Sequence, residues 1–310
     1  MDVIRNFSAG RHASLPVALT IGNFDGLHLG HQKLIATVVG RAPDLVPALM
    51  CFEPLPATLF RPEQPVPRLM GIGDRMRYCR SLGLERVYMP RFNRGFAALA
   101  PEVFVREVVV KNAGARFVVV GADFRFGARA AGDVELLIRL GRRFGFDVEV
   151  VEPVRSDNEK ISSSRIRGLL AAGELEEAAE LLGRPYSLSG RVLGGQQLGR
   201  TLGFPTVNLR PPVPPALAGV FAVRVRGDGL RDHPGVANLG RRPTVHGKEW
   251  LLEAHLFDYD GRLYGQRLEV EFRRFLRGEE KFSSLEALTQ QMRRDARDAR
   301  QALKADVGVF

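Results

Sequence analysis

The chain has 310 residues, more than one hydrophobic core normally fills, so two domains are expected. Its hydrophobic share of 45% and charged share of 26% are those of a soluble globular protein, and no apolar run approaches the ~18 residues of a membrane span. The net charge of +10 favours a polyanionic partner, either nucleic acid or a nucleoside triphosphate.

The opening "MDVIRNFSAGRHASLP" has no apolar core segment, so no secretory signal is read. Cys51 and Cys79 are the only cysteines and form no CxxC pair. They make no disulfide framework and fit a reducing cytoplasm, the expected location. The arginines are scattered. The densest run, "RRDARDAR" from Arg293 to Arg300, is interrupted by acids and reads as a solvated helix face, not a nucleic-acid stripe.

In the first half, strand and helix signals alternate. "VALTIG" is a short apolar run ending at Gly22, a buried strand, and "HQKLIATVVGR" follows at helical spacing. "VPALMCFEP" is a strand stopped by Pro54, "GDRMRYCRSLG" a helix ending at Gly83, and "RVYMPRF" a strand. "APEVFVREVVVKNAG" is a helix with Pro101 near its start and Gly114 as its stop. The strand "ARFVVVG", the helix "DVELLIRLGRRFG" and the strand "DVEVVEPV" complete the pattern. Such alternation predicts a parallel sheet covered on both faces. "SSSRIRGLLAAGELEEAAELLG" reads as two short helices closing at Gly183, and the break at "GRPYS" suggests a domain boundary.

Beyond it, "YSLSGRVL", "GVFAVRVRG", "HPGVANLG", "WLLEAHLFDYDG" and "QRLEVEFRRFL" are short runs separated by Gly, Pro and Asp turns. They predict an antiparallel sheet or small barrel. "SLEALTQQMRRDARDARQAL" should end the chain as one helix, capped by Ser283 or Ser284.

Several stretches carry chemistry. His28 and His31 fall where the first predicted strand turns into a helix. The free backbone N–H groups and positive dipole end there suit phosphate, and Gly30 between the imidazoles would admit a bulky anion. Read alone, the pair is better explained as incidental, and zinc lacks a further Cys or His cluster. "KISSSRIR" sets three hydroxyls beside Lys160, Arg165 and Arg167 where another helix begins, more than a cap requires. The loop "GADFRFG" sets Asp123, Phe124, Arg125 and Phe126 after a strand. It would enclose a planar ligand or pack its rings inward, with nothing to decide between them.

In the second half, "GGQQLGRTLGFPTVNL" is glycine-rich but is no P-loop. Thr206 and Asn208 share one side of an extended strand and suit Mg²⁺ as oxygen donors, or they cap local backbone. Glu253, with His255 and Phe257 on its face, is either a solvent-facing acid or a general base.

Together, the HxGH turn and "ISSSRIR" resemble the signatures of the nucleotidylyltransferase superfamily, with Ser164 where Thr is common. "GRTLGFPTVNL", "GVFAVRV", "GVANLGRRPTV", "LEAHLFD" and "LRGEEKF" resemble, in order, bacterial riboflavin kinase, with PTVN for the usual PTAN. Nearly the whole chain therefore resembles the bifunctional riboflavin kinase/FAD synthetase family. That resemblance implies a Rossmann-like α/β domain over residues 1–184 and an antiparallel β-barrel with a C-terminal helix over 185–310. It implies riboflavin phosphorylation to FMN, with Glu253 as base and Mg²⁺ on Thr206 and Asn208. FMN adenylylation to FAD follows, with His28 and His31 stabilising charge at the α-phosphate of ATP. Nucleotide contacts are expected from Gly22, Asn23, Gly30, Ser163, Ser164, Arg167, Gly194, Gly199 and Arg200. Flavin contacts are expected from Asp123, Phe124 and Arg125. The partners expected are flavins and ATP, without nucleic acid or membrane, with a weak homo-oligomer left open. A class I aminoacyl-tRNA synthetase also uses a HIGH-like turn, but no anticodon-binding helical domain is apparent and the barrel motifs would go unexplained.

Overall fold

Short apolar runs build a parallel sheet in the first half of the chain. Its strands are β1 (Asp2–Ile4), β2 (Val17–Ile21), β3 (Val46–Met50), β4 (Arg86–Tyr88), β5 (Ala115–Gly121) and β6 (Asp147–Val151). Every residue of β2 and β3 is buried, as continuous apolar runs require of strands covered on both faces. The computed structural model describes residues 1–5, 15–64, 66–194, 204–227, 229–244 and 247–305, side chains within 243–248 excepted. Gly199 and Arg200 lie outside the described residues.

The sheet order is β1-β4-β3-β2-β5-β6. The connection after β4 passes over β3 and β2 to place β5 beside β2. The strand order therefore reverses between β2 and β5, and ligands of such sheets bind at the carboxyl ends flanking that point. The helices are α1 (Leu29–Val39), α2 (Pro56–Phe60), α3 (Ile72–Ser81), α4 (Arg94–Ala97), α5 (Pro101–Val103) and α6 (Val134–Phe144). The sheet face bearing Val17, Leu19 and Ile21 shares a core with Phe104, Val108, Leu137 and Leu140, while α1 packs on β2, β3 and β5.

The helix over 100–114 and the stretch after β6 depart from expectation. The predicted helix over 100–114 starts as α5 but continues as a π-helix, Phe104–Asn112. The wider winding, seen in Ala113 N donating to Val108 O at 3.0 Å, turns Ala113, not Asn112, into the core. After β6 a hairpin, β7 (Arg155–Ser156) with β8 (Glu159–Lys160), appears where no strand was expected. Asp157 and Asn158 at its tip have φ of 52° and 63°, the two positive values of a type I′ turn.

The two short helices are α7 (Ser163–Ala172) and α8 (Leu175–Leu182), stopped by Gly183 at φ 70°. The barrel strands are β9 (Ser187–Leu193), β10 (Thr206–Leu209), β11 (Gly219–Gly227), β12 (Leu230–Thr244), β13 (Gly247–Leu256) and β14 (Arg267–Arg277). They close in the order β10-β13-β12-β11-β14-β9, and every pairing is antiparallel. Phe221, Val223, Leu252 and Ala254 are buried by the strand alternation. The last helix, α9 (Leu285–Ala305), packs on β11, β12 and β14. Ser284 caps it, its Oγ accepting from Ala287 N at 3.2 Å. Its Ala299 and Leu303 join Ala222 and Phe257 in a small core on the outside of the barrel. The expectation of a wholly solvated "RRDARDAR" face fails at Asp295. That carboxylate is buried and accepts from Arg277 Nε at 2.9 Å and Nη2 at 2.7 Å.

The chain packs as two compact units, Met1–Val66 with Arg75–Ser162, and Pro67–Asp74 with Ser163–Phe310. Within the second, residues 67–74 lie along the barrel, with Arg68 N donating to Pro214 O at 2.9 Å and Arg267 paired to Asp74 at 3.0 Å.

Candidate active sites

In the first unit, the carboxyl ends of β2 and β5 carry the two motifs singled out in the sequence. After β2 the chain turns tightly, with positive φ at Phe24, Gly26 and Leu27. His28 is the N-cap of α1, with extended backbone and no capping bond from its side chain, and His31 lies in the first turn. Their rings stack, centroids 3.6 Å apart and planes at 20°. A Cβ on Gly30 would come within 3.2 Å of the His28 ring. Gly30 therefore leaves room for the His28 imidazole. Arg75, wholly buried, braces the turn. It donates to Asn23 O at 3.2 Å and pairs with Glu53 at 2.9 Å.

Burial, then the charges of His28, Lys160 and Arg75, hold the His31 pKa well below 6.5. His31 Nδ1 is buried and has no hydrogen-bond partner among the described residues. The sign of the resulting pH effect follows directly. The unfolded imidazole binds a proton below about pH 6.5 while the folded one does not, so stability is full above that value and falls as pH drops toward the folded pKa. Unfolding titrations should lose at most about 1.4 kcal/mol per pH unit between pH 7 and 5 from this group. His31→Gln should flatten that slope, and an unchanged slope would exclude His31 as its source.

Beyond β5, Asp123 pairs with Lys160 of β8, whose hydrogen bond holds the Asp123 carboxyl below its usual pKa. Arg125 pairs with Asp133 at 3.7 Å. Phe124 and Phe126 stack at 5.6 Å, and a row of rings leads on through Phe104 and Phe96 to Phe52, Phe92 and exposed Phe60, with neighbouring centroids 5.6 to 6.1 Å apart. Sequence reading saw only the Phe124 end. Phe52 and Phe92 also follow strand ends, but each sits alone in its own loop, with no pattern to join them.

In the second unit, Ser163, Ser164 and Arg167 begin α7. Arg167 Nε donates to Pro67 O at 2.7 Å, and Arg165 pairs with Glu177 at 3.3 Å. On the barrel, Thr206 lies opposite His255 and Asn208 opposite Glu253. Across the other edge of β13, Asn238 also lies opposite Glu253. Three strands thus align Asn208, Glu253 and Asn238 in a row, outside the barrel. Asn208 Oδ1 is buried without a hydrogen-bond partner among the described residues, and Glu253 pairs with Arg242 at 2.6 Å. His255 Nδ1 donates to Pro205 O, 2.8 Å away, and its ring meets the Phe204 ring edge-on at 5.2 Å. Phe204 in turn lines a cavity of about 480 Å³ whose wall on α9 carries Arg293, Arg297, Arg300 and Lys304. Asn238 and Arg242 escaped sequence reading, since register sets their neighbours. Gly194 follows β9, with open space where a Cβ would stand.

Comparison with known proteins finds two family matches along the chain. Residues 11–165 match the FAD synthetase family and residues 182–303 the riboflavin kinase family. A bifunctional riboflavin kinase/FMN adenylyltransferase of Escherichia coli K12 is 43% identical over 91% of both chains. That of Haemophilus influenzae is 40% identical over 97% of this chain and 98% of its own. A Streptococcus pneumoniae crystal structure described as a macrolide-efflux protein superposes with a TM-score of 0.80 at 28% identity, covering 96% of this chain and 98% of that one. No described helix here is long and apolar enough to cross a membrane. Fold and relatives define a two-domain transferase. The chain belongs to the bifunctional riboflavin kinase/FMN adenylyltransferase family.

Proposed function

We propose that this chain converts riboflavin to FMN in a kinase domain over residues 185–310 and FMN to FAD in an adenylyltransferase domain over residues 1–184, with ATP as co-substrate of both steps. The observation that carries this reading is the full-length similarity to relatives bearing both names, 43% identical over 91% of each chain.

In the kinase step Glu253 accepts the proton of the riboflavin 5′-hydroxyl as its oxygen attacks the γ-phosphorus and ADP leaves. Arg242 and the Asn208–Glu253–Asn238 row fix the carboxylate on its strand. Thr206 and Asn208 suit Mg²⁺: the unpartnered, buried Asn208 Oδ1 is the kind of hard oxygen donor such an ion takes. Bound there, Mg²⁺ would neutralise phosphate charge. The cation-lined cavity beside Phe204 fits an anionic nucleotide, and further nucleotide contacts are assigned to Gly194, Gly199 and Arg200.

In the adenylyl step an FMN phosphate oxygen attacks the α-phosphorus of ATP, and the bond to the β-phosphate breaks to release pyrophosphate. The nucleophile is already anionic, so no general base is required. His28 and His31 donate hydrogen bonds to the α-phosphate oxygens as charge gathers there. A neutral imidazole still carries one N–H for that purpose. Gly22, Asn23 and Gly30 form the turn that presents them, and Ser163, Ser164 and Arg167 take the departing phosphates. The flavin ring lies toward Asp123, Phe124 and Arg125 and the aromatic row that continues from them.

The test is to supply the purified protein with riboflavin, ATP and Mg²⁺ and separate the flavins over time. FMN should appear first and FAD after it. FMN alone would remove the adenylyltransferase reading, and no flavin product from folded protein would remove both.

A further inference from the structure

The turn that presents His28 and His31 holds an unfavourable backbone. Phe24 and Leu27 have φ of 49° and 47°, left-handed values that bulky residues keep only where the surroundings over-determine them. Burial of both side chains supplies the apolar part of that constraint. Arg75 supplies a polar part. Asn23 is exposed as a residue but turns its carbonyl inward, where Arg75 Nη1 donates to it at 3.2 Å. The same guanidinium donates from Nη2 to Glu53 Oε2 at 2.9 Å. Glu53 directly follows Phe52, and its carbonyl accepts from Phe92 N at 3.0 Å. Phe52 and Phe92 are neighbouring rings of the aromatic row. One planar, wholly buried group therefore ties the imidazole turn to the loops that carry those rings.

We propose that Arg75 is a positioning residue of adenylyl transfer, setting the separation of two substrates that it does not touch. This role rests on the FMN adenylylation proposed above. In that reaction the imidazole turn holds the α-phosphate of ATP, which is the electrophile. The aromatic row holds the flavin, whose phosphate is the nucleophile. The two groups are carried by different loops, so neither loop alone fixes their spacing. A guanidinium suits the task, because its donors leave a rigid plane in set directions. Bonded to both loops and shielded from water, it leaves them little freedom to drift. An error of about 1 Å between reacting groups costs about 10²-fold in rate. Each substrate would still find its own contacts, so the loss falls on kcat and not on KM.

The test compares Arg75→Met/Glu53→Gln with Arg75→Lys in the full chain. The double variant removes both charges together, so no buried charge is left without its counter-charge. It should lower kcat for FAD formation from FMN and ATP about 10²-fold, with KM for each substrate within about threefold. FAD pyrophosphorolysis should slow by the same factor, since both directions cross one transition state. Arg75→Lys keeps a cation that can donate to Asn23 O and Glu53 but lacks the planar fork. It should fall in between, about tenfold below the unaltered kcat. Riboflavin phosphorylation by each variant serves as the check on folding of the other domain. If the double variant loses FAD formation altogether, the same split of kcat and KM in Arg75→Lys decides. If the unaltered chain makes FAD and the variants match its kcat, the positioning role falls alone. A rise in KM for ATP and FMN that accounts for the whole loss would also overturn it, leaving Arg75 a brace of the fold. If the unaltered chain makes no FAD, the role falls together with the adenylyltransferase reading.

Discussion

Replacing Glu253 by Gln should slow riboflavin phosphorylation by about 10²–10⁴-fold, the usual range for a lost general base, while FMN supplied from outside is still turned into FAD at the original rate. Gln keeps the shape of the side chain and removes the proton-accepting carboxylate. The change is a mild one for the fold. Glu253 points outward from the barrel, between the buried Leu252 and Ala254. Its partner Arg242 keeps 47% of its side chain in solvent, so losing that ion pair costs little. The measurement is kcat for FMN formation beside kcat for FAD formation from FMN in one preparation. FMN formation near the original rate would rule out Glu253 as the base and leave the row it shares with Asn208 and Asn238 a structural one.

The complementary result is expected at the other site. His28→Ala should lower FAD formation from FMN by about 10²–10³-fold, the effect of removing one donor to developing charge, and leave riboflavin phosphorylation intact. His28 is 5% exposed and stacks on His31, so its removal also loosens the second imidazole. The double variant His28→Ala/His31→Ala should therefore cost less than the two single losses multiplied, as for groups that act as a unit. Retained FMN formation doubles as evidence of folding. Loss of both activities in a folded variant would contradict the assignment of one reaction to each domain.

Much of this architecture could be drawn from residue order. The runs at 17–21 and 46–50 are uniformly apolar, and each is a fully buried strand. Asp133 before "VELL" caps α6 through Leu136 N, and Gly145 stops it in the left-handed conformation. Thr206 and Asn208, two apart on a strand, do share a side, as does Glu253 with His255 across from them. These features act over a few residues, through side-chain periodicity, caps and backbone freedom, so local sequence is enough to specify them.

What escaped depends on partners distant in the chain. β1 is three residues long, two of them exposed, and exists because β4 pairs with it. The π winding of 104–112 answers to the core it covers, and propensity gives no sign of it. Asp295 sits in a charged run that reads as solvated, yet Arg277, 18 residues away, draws it into the protein. Asn238 stands beside Glu253 only through the register of β12 on β13. Lys160 and Asp123 meet across 37 residues, and Arg75 braces the imidazole turn from 52 residues beyond Asn23. The sequence carries the chemistry of each group and its local backbone. Which groups face one another is decided by sheet order, register and burial, and those are settled by the free energy of the whole packed chain.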